Sequence, residues 1–84
     1  MNRRQKRRMA IKVARKAARE YLDVRTGTFL KKLKRNDADA QMAFYAAAED
    51  VGADAGLDID VNFILQLLEL VMEFMEALRR IFDW

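Results

Sequence analysis

The chain of 84 residues contains no cysteine, proline or histidine, and serine is missing as well. Without cysteine it has no disulfide and no thiolate metal site. Without histidine and serine it lacks the usual general base, the usual metal ligand and the usual hydroxyl nucleophile. Carboxylates, lysines, two tyrosines and two threonines are the remaining reactive groups. We therefore expect that the protein is not an enzyme and that it binds no metal and no cofactor.

Glycine is scarce too, and only Gly27, Gly52 and Gly56 punctuate the chain. Alanine, leucine, arginine, lysine and glutamate dominate, and all five are good helix formers. No segment alternates apolar and polar residues for long enough to predict a strand. A chain of this length makes one domain at most. The sequence predicts an all-α fold, a small helical bundle of about four helices.

Charge is divided sharply along the chain. Residues 1–35 carry fourteen lysines and arginines against Glu20 and Asp23, whereas residues 36–84 carry eleven acids against Arg79 and Arg80. The net charge of +3 therefore combines halves of +12 and −9. A half that basic attracts polyanions, and a half that acidic avoids them.

The first helix is predicted over residues 4–24. From Met9 to Val24 its apolar residues fall on one half of a helical wheel and its cations on the other. Before Met9 this segregation fails, so residues 1–8 are predicted to form a basic arm outside a single helical domain of residues 9–84. Gly27 is expected to end the helix as a left-handed cap.

Two shorter helices are predicted next, over residues 29–35 and 37–51. Asn36 or Asp37 is expected to cap the second of them, which should stop at Gly52. Its alanines permit close helix approach, and Met42, Phe44 and Tyr45 are expected to supply bulk.

The last helix, residues 60–82, is long and strongly apolar. Asp58 or Asp60 is expected to cap it. Its polar residues recur at spacings of three and four in one stripe: Asn62, Gln66, Glu69, Glu73, Glu76, Arg80 and Asp83. The apolar arc covers about 240°, far more than a surface helix needs. We therefore expect self-association into an oligomer, or a protein partner. The expected interface residues are Phe63, Ile64, Leu67, Leu70, Val71, Phe74, Leu78, Ile81 and Phe82.

The basic arm and the adjoining helix face are the best candidate binding site. A line of cations on a helix suits a phosphate backbone, because each neutralised phosphate releases condensed counterions. Alternatively, these cations form a solvated face paired with acids of the second half. The expected nucleic-acid-binding residues are Arg3, Arg4, Lys6, Arg7, Arg8, Lys12, Arg15, Lys16 and Arg19. No recognition motif is present, so binding should be non-specific, and DNA and RNA remain open.

Three other interpretations are weaker. Asp58, Asp60 and Asn62 resemble the start of a calcium loop, but Phe63 stands where glycine is required. Glu69 and its acidic neighbours interrupt the last helix, so we expect no transmembrane span. No secretory signal is expected, because lysine and arginine interrupt the segment after the basic start. We expect no membrane partner, and we expect a cytoplasmic or virus-particle location.

The sequence thus predicts a non-enzymatic, self-assembling protein that binds nucleic-acid backbones, such as a structural or packaging component of a phage or virus particle. The alternative is a protein-protein interaction module or inhibitor. It would dock through its apolar C-terminal helix, with the basic arm on an acidic partner surface. Head-to-tail assembly of basic and acidic halves is a third possibility.

Overall fold

The computed structural model describes residues 1–82, with the side chain of Phe82 left out. These residues form four α-helices: α1 (Arg3–Lys16), α2 (Thr26–Lys34), α3 (Ala38–Asp54) and α4 (Val61–Phe82). A π-helical turn, Ala17–Tyr21, continues α1. All the regular secondary structure in the described residues is helical, which confirms the all-α prediction.

The beginning of α1 is fixed by a reciprocal cap. The Asn2 side chain accepts a hydrogen bond from the Gln5 backbone at 2.8 Å, and the Gln5 side chain accepts one from the Asn2 backbone at 3.0 Å. After the π-helical turn, Asp23 adopts a left-handed conformation with φ 51°. The first helical segment therefore ends before Asp23, because aspartate tolerates this conformation better than most residues.

Gly27 does not have the role predicted for it as the cap that ends the first helix. Because α2 starts at Thr26, Gly27 lies in its first turn and does not end α1. Asn36, with φ 59°, lies in the left-handed region just after α2. The Asp37 side chain then accepts a hydrogen bond from the Ala40 backbone at 3.0 Å, so its predicted role as the α3 cap is confirmed.

Gly52 does not stop α3, which continues to Asp54. It is buried against Ile59 of the connection, and a Cβ added there would lie 2.7 Å from Ile59 Cδ1. The left-handed residue after α3 is Gly56, with φ 70°. Close packing therefore explains Gly52, and backbone conformation explains Gly56.

The cap of α4 is Asp60, whose side chain accepts a hydrogen bond from the Phe63 backbone at 2.9 Å. Capping thus accounts for this acid of the calcium-like segment. Within residues 1–82, no group of three or more carboxylates is placed to hold a metal ion. In the same range, no helix has both the length and the apolar character needed to cross a membrane.

The core lies where α1 and the π-helical turn pack against α3 and α4. Phe29 and Leu33 of α2 and Phe44 of α3 are its largest fully buried side chains, together with Leu67 of α4. Most other core positions of the first and third helices are alanines: Ala10, Ala14, Ala17, Ala18, Ala40, Ala43, Ala47 and Ala48. Their small side chains let the helix axes approach closely. The radius of gyration is 12.0 Å, as expected for a compact chain of this length.

Gly52→Ala tests the close approach of Ile59. We expect the free energy of unfolding to fall by about 1 kcal/mol, because Ile59 must move away from the new methyl group. Gly27→Ala is the matched control, since no atom lies within 4 Å of its added Cβ. That variant should gain about 0.5–1 kcal/mol from helix propensity. Urea denaturation measures both, and an equal gain in the two variants would contradict the packing described.

Candidate nucleic-acid interface

Five cations form a continuous row on the outward face of α1 and its π-helical extension. Their spacings of three and four residues place them on one side of the helix, opposite its buried face. All five side chains are exposed, and the row is about 22 Å long at 1.5 Å per residue. We call this row the basic ridge; its members are Arg4, Arg8, Lys12, Arg15 and Arg19.

Within residues 1–82, no acidic side chain pairs with a cation of the basic ridge. No acid occurs before Glu20 in the sequence. Within the described part of the chain, none of the five ridge residues has a hydrogen bond or an ion pair. Repulsion among neighbouring cations therefore favours a polyanionic partner, which would lower it on binding.

The two cations that face the bundle at the start of α1 have partners on α4. Arg3 Nη2 lies 2.6 Å from Glu73 Oε2, and both side chains are more than half exposed. Lys6 Nζ donates to Gln66 Oε1 at 3.0 Å and lies 5.9 Å from the centre of the Phe63 ring. An exposed pair such as Arg3–Glu73 contributes about 0–1 kcal/mol.

These contacts differ from the predicted basic arm. From Arg3 onward the basic segment is the first part of α1, and the polar stripe of α4 accepts the cations that break the helical pattern. The acid that pairs with Arg3 comes from α4, seventy residues along the chain. A search along one helix therefore misses it. Residues 3–8 belong to the folded bundle in the structure.

Lys16 has local partners. Its Nζ lies 2.8 Å from Glu20 Oε2, one turn along the helix. The hydrogen bond to Glu20 raises the pKa of Lys16, and the charges of Asp50 and Asp54 act in the same direction. Of the nine predicted binding residues, Arg3, Lys6 and Lys16 are thus engaged within the chain. Arg7 is exposed, about a quarter turn from the ridge.

Among the side chains that the structure describes, none forms an aromatic platform for bases on the basic ridge. Phe29 is fully buried in the core. Tyr21 is partly exposed, but its hydroxyl donates a hydrogen bond to Asp50, and a carboxylate at that position repels phosphates. Base stacking needs exposed rings among the cations, so the ridge is suited to the backbone and not to bases.

The predicted interface on α4 is largely inside the protein. Ile64, Leu67, Leu70 and Val71 are all less than a tenth exposed and pack in the core of the same chain. They are not available to a partner while the bundle is intact, because α1 and its neighbours cover this face. Phe63 is half-buried beside Lys6.

The end of α4 is different. Phe74 and Leu78 are half-buried and Ile81 is 71% exposed. The predicted role of the Phe82 side chain lies outside the described residues, as does Asp83 of the polar stripe. Among the described side chains predicted for the interface, Ile81 is the one that is mostly exposed.

A shallow apolar groove between the π-helical turn and α3 was not expected from the sequence. It measures about 290 Å³ and is lined by Tyr21, Leu22, Asp39, Met42, Ala43 and Ala46. Met42 was expected in the core but is 70% exposed. The buried positions of α3 recur from Ala40 at spacings of three and four, and Met42 falls outside that series. The helical periodicity of the sequence could therefore have indicated that Met42 is exposed.

Comparisons with protein-family models, curated proteins and solved structures found no match to this chain.

The Tyr21–Asp50 contact at the groove makes a pH prediction. The hydrogen bond to Asp50 raises the pKa of Tyr21 above its ordinary value. Its stabilising effect is present below the pKa of free tyrosine, about 10. It is lost as the pH rises through the raised value, because the folded state then loses the proton that the bond favours.

Ultraviolet absorbance titration measures this pKa in a Tyr45→Phe background, where Tyr21 is the only tyrosine. Asp50→Ala should lower the pKa of Tyr21 towards 10. Asp39→Ala, which removes another groove carboxylate, is the control and should change it less. Equal effects of the two substitutions would show that the Asp50 hydrogen bond is not the main cause.

Proposed function

We propose that this protein is a non-enzymatic, self-assembling binder of nucleic-acid backbones that uses the basic ridge of α1. The observation that carries the proposal is the row of five exposed cations without an acid among them. Each cation on a straight helix lies about one turn from the next, roughly 5–6 Å away. This spacing lets a single face contact successive phosphates.

The ridge supports affinity without sequence recognition. Its members are arginine and lysine only. Gln5 is an amide side chain near the start of α1, but it is hydrogen-bonded to the Asn2 backbone in the helix cap. Phosphate contacts position a protein on a duplex but carry no sequence information. We therefore propose binding to duplexes of any sequence, with strong dependence on salt.

Arg8→Gln combined with Arg15→Gln tests the ridge without removing the cap of α1. Five neutralised phosphates give a slope of about −4.5 for log K against log salt concentration, and three give about −2.7. We expect the double variant to bind a 16-bp DNA duplex on the order of tenfold more weakly at moderate salt. Fluorescence anisotropy over a series of salt concentrations measures both quantities.

Arg79→Gln with Arg80→Gln is the charge-matched control, because it removes two exposed cations at the end of α4. It should leave the slope close to that of the unmodified protein. A wild-type protein that shows no binding, or the same loss in both double variants, contradicts a role for the ridge. Circular dichroism checks that each variant keeps its helices.

A second candidate function is docking on another protein as an interaction module or inhibitor. The exposed end of α4, and Ile81 above all, supports it. Under this hypothesis the basic ridge contacts an acidic protein surface and duplexes bind weakly or not at all. The anisotropy experiment distinguishes the two, because only backbone binding gives the steep salt slope.

The biological setting that we propose is a structural or packaging role, as in a phage or virus particle. It is supported by the small size and by the combination of a cationic face with a surface for association. Packaging needs affinity for any sequence, which follows from binding to the phosphate backbone, and many copies, which the proposed self-assembly would supply.

A further inference from the structure

Three further cations surround a cavity at the end of α2, outside the basic ridge. The cavity measures about 400 Å³, and the side chain of Met75, 4% exposed, forms its apolar wall on α4. Among the residues that the structure describes, no acid lines this cavity. We call the three cations the α2 cluster; its members are Lys31, Lys34 and Arg35.

The α2 cluster is a local excess of positive charge. Its three residues are exposed, and they occupy about 6 Å of the helix axis at 1.5 Å per residue. Lys34 and Arg35 have no ion pair within residues 1–82. The macrodipole of α2 favours cations at this end of the helix, but neighbouring like charges still repel each other. An anion that binds to the cluster lowers this repulsion.

Acidic groups occur in the adjoining cavity, where cations balance them. Glu73 is paired with Arg3, and Arg79 lies in the same cavity as Glu76. The lining of this second cavity thus has two cations and two acids, whereas that of the first has three cations and no acid. The full lining of the second cavity is Lys34, Met72, Glu73, Met75, Glu76 and Arg79. An anion is therefore attracted to the first cavity.

The α2 cluster and the basic ridge point in different directions. The ridge reaches α2 at the opposite end, where Arg19 and Arg25 line one cavity together with Asp23. Arg25 and Lys34 are nine residues apart, which at 100° per residue places them on opposite sides of α2. The ridge also lies opposite the face of α1 that packs on α3 and α4, whereas the cluster borders α4. A duplex that lies along the ridge therefore leaves the α2 cluster uncovered.

We propose that the α2 cluster binds the phosphate backbone of a second duplex, so that one copy of the protein bridges two duplexes. Its lysines and arginine contact the phosphates, and neighbouring Met75 is apolar, so this contact carries no sequence information. The inference rests on the proposed function, since the first duplex is the one that the basic ridge holds. It deepens that function by adding a second binding surface.

A bridge within one copy differs from a bridge made by self-assembly. A protein with one cationic surface joins two duplexes only when its copies associate. With two surfaces, a single copy joins them, and loss of either surface breaks the bridge. Removing the α2 cluster while the ridge stays intact therefore separates the two possibilities.

Capture of one duplex by another tests the bridge. A biotinylated 16-bp DNA duplex is immobilised, and the full chain is added with a fluorescent duplex of the same length. Total duplex is kept in excess over protein, which prevents aggregation by charge neutralisation. We expect the wild type to capture the fluorescent duplex. Lys34→Gln combined with Arg35→Gln should lower this capture about tenfold at moderate salt, because two of three phosphate contacts are lost.

The same variant should keep its affinity for a single duplex. Fluorescence anisotropy at low duplex concentration reports the stronger site, which is the ridge with its five cations. We expect the dissociation constant of the Lys34→Gln, Arg35→Gln variant to change by about twofold or less, and its salt slope to stay near that of the wild type.

Lys32→Gln combined with Arg80→Gln is the charge-matched control. At 100° per residue, Lys32 lies about 160° around α2 from Lys34, and Arg80 lies about 140° around α4 from Met75. Neither residue lines the cavity of the α2 cluster. This variant should capture as much fluorescent duplex as the wild type. An equal loss in the control would show that capture follows total charge, which contradicts a role for the cluster.

Three further results overturn the inference. One is a wild type that binds a single duplex but captures no second one. Another is capture that persists in the Lys34→Gln, Arg35→Gln variant, which indicates bridging by self-association. The third is a loss of single-duplex affinity in this variant as large as that in Arg8→Gln, Arg15→Gln, which indicates that ridge and cluster hold the same duplex. A wild type that binds no duplex at all contradicts the proposed function itself, so the two failures are distinguishable.

Discussion

The close approach of α1 and its π-helical extension to α3 is the contact on which the rest of the structure depends. Buried alanines occupy most of the core positions on both sides, and Cα atoms of the two segments come within 8 Å of each other. A methyl group leaves little side-chain entropy to lose on burial and lets two helices pack tightly. Because α1 is held along this inner face, the cations of the basic ridge are left exposed on its outer face.

Electrostatics contributes little to holding this fold together and much to what its surface attracts. The described ion pairs, Arg3–Glu73 and Lys16–Glu20, involve exposed or partly exposed side chains, and such pairs stabilise a protein only slightly. In the basic ridge, by contrast, repulsion among the five cations slightly destabilises the free protein. A polyanion removes that cost and releases its own counterions.

Helix content and the inward face of α1 could be predicted from local pattern, and each carboxylate cap could be narrowed to two candidate residues. What could not be predicted depends on contacts between distant segments. Arg3 and Lys6 break the apolar pattern of α1, and only the position of α4 shows that Glu73 and Gln66 receive them. Similarly, the apolar arc of α4 indicates how much surface must be covered. It does not indicate that α1 covers Leu67 and stops before Leu78.

NMR of the arginine side chains during titration with a 16-bp DNA duplex tests the central claim most directly. Apart from Arg25 and Arg35 at the two ends of α2, the chain's arginines lie on the ridge, beside it or at the end of α4, so one spectrum reports on both surfaces. We predict that the Nε signals of Arg4, Arg8, Arg15 and Arg19 shift together, while those of Arg79 and Arg80 stay in place. Shifts confined to Arg79 and Arg80, or no shifts at all, would contradict the assignment of nucleic-acid binding to the basic ridge.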